Sequence, residues 1–172
     1  GVRVALPRFT IFIAPQRGKP GRPMRAEDLD ASDQPLSWRL LAANNRDVAR
    51  SAMPHPDLLT CLQAVAELQG RVDDTVAVAA RSGRADWSWR LRLEGRDVAV
   101  SSRTYQRRLQ CEAACTLFVG LVHDATVDVF DQVVAPGVDL TAIVARLPVA
   151  RVEPSPNAVE APAVPRPPSR TG

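Results

Sequence analysis

The tetrapeptide Ser-Trp-Arg-Leu occurs twice in this chain, at residues 37–40 and 88–91, and each copy is soon followed by Arg-Asp-Val-Ala, at 46–49 and 96–99. Around each copy the side chains alternate, as a half-buried strand requires. Trp38, Leu40 and Ala42 alternate with Ser37, Arg39 and Leu41, while Trp87, Trp89, Leu91 and Leu93 alternate with Ser88, Arg90, Arg92 and Glu94. Asn44-Asn45 and Glu94-Gly95 fall where tight turns belong, because Asn and Gly tolerate positive φ. Val48 and Ala49, and later Val98 and Val100, then lie in returning strands. Each copy predicts a hairpin with one apolar face. Such a hairpin is marginal in water until something covers it, so two copies within 172 residues point to one shared sheet.

The flanks extend the pattern. Arg8-Phe9-Thr10-Ile11-Phe12-Ile13-Ala14 and Thr75-Val76-Ala77-Val78-Ala79 read as strands that open each copy. After each hairpin a helix is predicted, over about 57–69 and 106–119. Leu58, Cys61, Leu62, Val65 and Leu68 form one apolar stripe, and Cys111, Ala114, Cys115 and Phe118 form the other, with Gly70 and Gly120 at the expected stops. Strands grouped before a helix give an α+β class: two tandem βββα repeats in one antiparallel sheet, with both helices on one face. The expected organisation is an arm over 1–7, a first repeat over 8–70 and a second repeat with a closing strand at 126–130 over 71–131. An extension follows over 132–150, with a short helix at 139–145, and a Pro-rich tail over 151–172. The loop 16–35 and the tail are rich in Pro, Gly and charge, and read as disordered.

These segments carry a resemblance. Trp38-Arg39-Leu40-Leu41-Ala42-Ala43-Asn44-Asn45, Val48-Ala49-Arg50-Ser51 and Cys61-Leu62-Gln63-Ala64-Val65 resemble the YegP-like family, small bacterial proteins of unknown function. Trp89-Arg90-Leu91, Val98-Ala99-Val100-Ser101 and Cys111-Glu112-Ala113-Ala114 carry the likeness in the second copy, where Arg92-Leu93-Glu94-Gly95 departs from the family's Ala-Ala-Asn-Gly. The resemblance implies tandem strand-strand-strand-helix repeats in one sheet, with strands exchanged between them. It implies no activity, cofactor or catalytic residue.

The net charge of +3 conceals blocks. Residues 1–26 carry Arg3, Arg8, Arg17, Lys19, Arg22 and Arg25 without an acid, and eight arginines lie from Arg81 to Arg108 against Asp86, Glu94 and Asp97. Lys19 is the only lysine. Guanidinium groups favour planar, bidentate contacts with phosphate or carboxylate, although a genome rich in G and C also enriches arginine. No apolar run reaches the ~20 residues of a bilayer span, and residues 1–6 do not make an apolar signal core. Cys61, Cys111 and Cys115 have no C-x-x-C spacing, so a reducing cytoplasm is expected.

Recognisable catalytic machinery does not emerge. There is no nucleophile elbow, Walker loop, dinucleotide fingerprint or H-E-x-x-H, and the chain reads as a non-enzyme without metal or cofactor. A zinc site from Cys61, Cys111, Cys115 and His123 competes with the simpler reading of cysteines as buried small hydrophobes. His55 and His123 read as surface or capping residues, and Asp73-Asp74 and Asp124 with Asp128 as solvated carboxylates. The candidate binding residues are Arg39, Arg90 and Arg92, which alternation turns away from the tryptophans, with Ser37 and Ser88 beside them. They form either a docking surface for a protein partner or an acidic or phosphate-bearing ligand, or a solvated face paired with Asp47, Glu94 and Asp97. Nucleic acid is the alternative partner, through the arginines from Arg81 to Arg108 and the basic N-terminus. A membrane is not an expected partner, and the chain is expected to be a monomer or homodimer.

Overall fold

A computed structural model describes residues 6–25, 27–28 and 34–129, together with the backbone of 132–134. Strands β1 (Arg8–Ile13), β2 (Arg22–Pro23), β3 (Leu36–Leu41) and β4 (Asp47–Ser51) precede helix α1 (Leu58–Arg71), which runs into a 3₁₀ turn at Val72–Asp74. Strands β5 (Val76–Ser82), β6 (Asp86–Leu93) and β7 (Arg96–Ser101) then precede α2 (Arg108–Asp124), and β8 (Thr126–Val129) and β9 (Gln132–Val134) follow. The fold is α+β. All strands join one sheet in the order β5-β6-β7-β4-β3-β1-β8-β9, with β2 paired to β1.

Local chemistry accounts for the hairpins. Asn45 alone adopts a positive φ of 64° in the first turn, whereas Glu94 and Gly95 adopt φ 51° and 79° in the second, the paired positive values that match the twist of antiparallel strands. Trp38, Leu40, Trp89, Leu91 and Leu93 are all buried. The halves meet at β4 and β7, where Ala49 faces Ser101, Arg50 faces Val100 and Ser51 faces Ala99. Ala49 and Ala99 hold matching places in the two hairpins, as do Ser51 and Ser101. The seam is therefore self-complementary, with a local two-fold axis through the Arg50–Val100 pair.

The seam also shapes the core. Ala49, Ser51, Ala99 and Ser101 floor its inner side, and their small side chains leave a trough between the tryptophans of β3 and β6. Phe118 of α2 fills that trough, with ring centroids 6.3 Å from Trp38 and 5.0 Å from Trp89. Helix α1 reaches toward the opposite half: Arg71 donates to Glu94 at 2.8 Å, and Gln69 Nε2 donates to the Ala125 carbonyl, just past the end of α2, at 2.8 Å. The halves thus interlock through one apolar core.

Several expectations need correction. The sheet is not wholly antiparallel, because β8 pairs parallel with β1, placing Phe9 opposite Val127; α2 carries the chain across the inner face before β8 begins. Gly70 and Gly120 are not helix stops but lie within α1 and α2. Val72 and Val122 extend the buried stripes past them, and both helices continue as long as that apolar contact does. The described part of the stretch 16–35 carries backbone pairing of its own. Gln16 and Lys19 form a bridge, Arg22 faces Ile13, and Asp28 accepts from Arg22 at 2.6 Å and 2.8 Å, so backbone pairing and an ion pair hold a polar segment that lacks an apolar stripe. The helix expected at 139–145 and the tail at 151–172 lie outside the described residues.

Candidate functional site

Helices cover one face of the sheet; the other presents the alternate side chains. Ladder registers place Val78, Arg90, Val100, Arg50, Arg39, Thr10 and Asp128 in one transverse row across seven strands. Three arginines of this row stand on β6, β4 and β3, at neighbouring or next-but-one strands spaced about 4.8 Å apart.

Arg39 and Arg90 occupy matching places, and so do their partners. Arg39 Nη1 donates to Asp47 at 3.1 Å, while Arg90 Nη1 donates to Asp97 at 2.9 Å. Arg92 Nε also donates to Asp97 at 2.9 Å, and the hydrogen bonds from Arg90 and then Arg92 hold the Asp97 carboxyl below its usual range. The Arg39 guanidinium lies 4.3 Å from the Phe12 ring centroid. Of the predicted trio, Arg90 and Arg92 therefore share one carboxylate, and Arg39 stands apart on the other side of the seam. Glu94 does not join them: it points to Arg71, whose hydrogen bond lowers its pKa.

A groove of about 510 Å³ straddles the seam on this open face. Its cations are Arg50, Arg90 and Arg103, with Ser37 and Ser88 from the two Ser-Trp-Arg segments on opposite sides, and no carboxylate lines it. Arg50 and Arg103 are exposed, and neither forms an ion pair with a carboxylate among the described residues. Sequence reasoning passed over both. Arg50 follows Val48 and Ala49, which are both buried because the register shifts beside Leu40 and Leu41, and that irregularity hides the alternation. Arg103 lies beyond the strand, where alternation has no meaning.

No family model, curated protein or solved structure matches this chain.

The other candidates have structural partners. Cys61, Cys111 and Cys115 are buried, and loss of solvation pushes the Cys61 thiol up to about 12 and the Cys115 thiol up to about 11. Among the described residues no three His, Cys, Asp or Glu side chains converge as a metal site would require. His123 contacts Asp73 at 3.1 Å rather than capping carbonyls, and Asp128 lies 4.0 Å from Arg8. His55 uses its backbone to pair with Leu36, and burial lowers its ring pKa. The arginines from Arg81 to Arg108 form no single stripe: Arg90 and Arg92 face out from the sheet, Arg96 approaches Glu67 at 4.0 Å, and Arg108 pairs with Glu112 at 2.9 Å. Trp87, expected in the core, is only half-buried, with the Arg81 and Arg108 guanidinium groups each 5.5 Å from its ring. No helix of the described chain is long and apolar enough to cross a membrane.

Proposed function

We propose that this chain is a non-enzymatic cytoplasmic interaction module, an internal duplication akin to the YegP-like family, whose contact surface is the helix-free sheet face. Its partner is a protein or ligand bearing acidic or phosphate groups. The observation that carries this reading is the transverse row holding Arg39, Arg50 and Arg90 on a face that no helix covers. Arg39, Arg90 and Arg92 are already oriented by Asp47 and Asp97, which reduces the rotamer freedom lost on docking. The test is affinity for a partner isolated from the native host on the full chain, remeasured in purified form with Arg39→Ser, Arg90→Ser and Arg92→Ser combined. Affinity should fall roughly tenfold or more, as expected when charge-assisted contacts are lost. Unchanged affinity in a variant with unaltered circular dichroism removes the sheet face from consideration.

Trp87 supports a second reading. A half-buried indole flanked by Arg81 and Arg108 has the composition of a base-stacking position in a single-strand binder. That reading expects steeply salt-dependent binding of single-stranded nucleic acid with quenching of tryptophan fluorescence, and loss of both with Trp87→Ala. Absence of retention at low salt defeats it.

A further inference from the structure

We infer that the groove over the seam is a binding site for a phosphomonoester dianion, with Arg50, Arg90 and Arg103 as its cations. This rests on the sheet-face reading above and narrows it to one pocket and one ligand chemistry. Three observations converge on it.

The first is charge. Asp47 and Asp97 neutralise much of the sheet's outward arginine, but Arg50 and Arg103 make no such pair among the described residues, and no carboxylate lines the groove. A cavity lined by two unpaired guanidinium groups, with a third on Arg90 held by Asp97 outside the lining, draws an anion rather than a metal ion. The second is shape. On the ladder, Val100 separates Arg50 from Arg90, so the two stems rise about 10 Å apart at strand spacing over a short apolar floor. That gap admits a tetrahedral anion to which both forks can donate. The groove volume of about 510 Å³ suits a phosphate with the small group that bears it.

The third is the way the halves diverge. The runs after the buried Ser51 and Ser101 are equivalent across the local axis, yet Ser102, Arg103 and Thr104 stand where the first half has Ala52, Met53 and Pro54. Because β4 and β7 are antiparallel, these runs leave toward opposite ends of the groove. One end is therefore short of donors and the other supplies the Arg103 cation, while the Ser102 and Thr104 hydroxyls beside it donate to Asp47 at 2.5 Å and Asp86 at 3.4 Å. Those two hydrogen bonds serve the scaffold, whereas the Arg103 fork, unpaired among the described residues, offers several N–H groups to the terminal oxygens of a phosphate. The groove lining also contains no aromatic side chain on which a base could stack, which favours an isolated phosphomonoester over a nucleic-acid strand.

The test titrates the full chain by calorimetry with a short Gly/Ala peptide carrying one phosphoserine, with its unphosphorylated and aspartate versions, and with inorganic phosphate. The phosphopeptide should bind at least roughly tenfold more tightly than the aspartate version, and Arg50→Gln with Arg103→Gln should remove that margin, while Arg96→Gln, at a residue that approaches Glu67 and does not line the groove, changes it by less than about twofold. Arg50→Lys, which keeps charge but not the planar fork, should recover only part of it. Inorganic phosphate matching the phosphopeptide assigns the site to free phosphate; a tighter phosphopeptide assigns it to a phosphorylated side chain. Equal binding of phosphorylated and aspartate peptides, or affinity indifferent to Arg50 and Arg103, overturns the inference. If the Arg39, Arg90 and Arg92 variant still loses its partner in that event, the wider sheet-face reading stands and only the phosphate site falls.

Discussion

Replacing Phe118 by alanine removes the side chain that ties the two halves together. The ring is fully buried and stacks on Trp38 at 6.3 Å and on Trp89 at 5.0 Å, above four residues too small to fill the space it leaves. Burial of a phenylalanine side chain stabilises by roughly 1.5–3 kcal/mol, and each aromatic pair adds about 0.5–1.5 kcal/mol. The expected loss is therefore about 4 kcal/mol, within the range for Phe→Ala in a packed core and a large part of a typical domain's 5–15 kcal/mol or so. In urea the midpoint should fall by about 2 M at a slope of roughly 2 kcal/mol/M. Circular dichroism and tryptophan emission should change together, since both tryptophans report on the same contact. Phe118→Leu retains apolar volume without the rings and should cost about 1–2 kcal/mol. Leu117→Ala, one residue away but 59% exposed, should stay within about 0.5 kcal/mol. A cost for Phe118→Ala no greater than that for Leu117→Ala, or two separate unfolding steps, refutes the shared core.

Three further outcomes are expected. Asp57 accepts a hydrogen bond from the Thr60 amide at 2.7 Å and caps α1, whereas Arg107 occupies the equivalent extended position before α2 without a side-chain cap. Asp57→Ala should destabilise, and Arg107→Asp stabilise, by about 1 kcal/mol each in thermal or urea unfolding, and equal effects of one sign contradict this assignment. Gly70→Ala and Gly120→Ala should each stabilise by about 0.5–1 kcal/mol, because both lie in helices with nothing within 4 Å of an added Cβ; destabilisation by either indicates an unseen close approach. Burial raises the Cys61 thiol from 9.0 to about 12, so the folded state retains that proton where the unfolded chain loses it. Its contribution is fully present below pH 9.0 and is lost as pH rises toward about 12. Cys61→Ala should flatten the alkaline fall in urea midpoint, and an unchanged slope excludes Cys61 as its source.

What the sequence determined is local. Alternation in the Ser-Trp-Arg-Leu segments committed Trp38 and Trp89 to the core and Arg39 and Arg90 to the opposite face, because successive strand side chains must point to opposite sides. Turn chemistry placed Asn45 and Glu94-Gly95 for the same kind of reason, and helical spacing marked Cys61, Cys111 and Cys115 as buried packing residues. What tertiary structure decided is which segments become neighbours. Strand partners are chosen through space by competing edges, so the β4–β7 seam, the parallel β1–β8 pair and the seating of Phe118 over Ala49 and Ala99 have no signature in any short window. The site follows the same division. Arg90 was visible from its own strand, but Arg50 gained its place only when Val100, from the other half of the chain, was laid beside it, and Arg103 when the strand end brought it to the groove. Ion-pair choice also belongs to the fold: Glu94 turned to Arg71 because α1 ends beside that turn, leaving Asp97 to hold both Arg90 and Arg92.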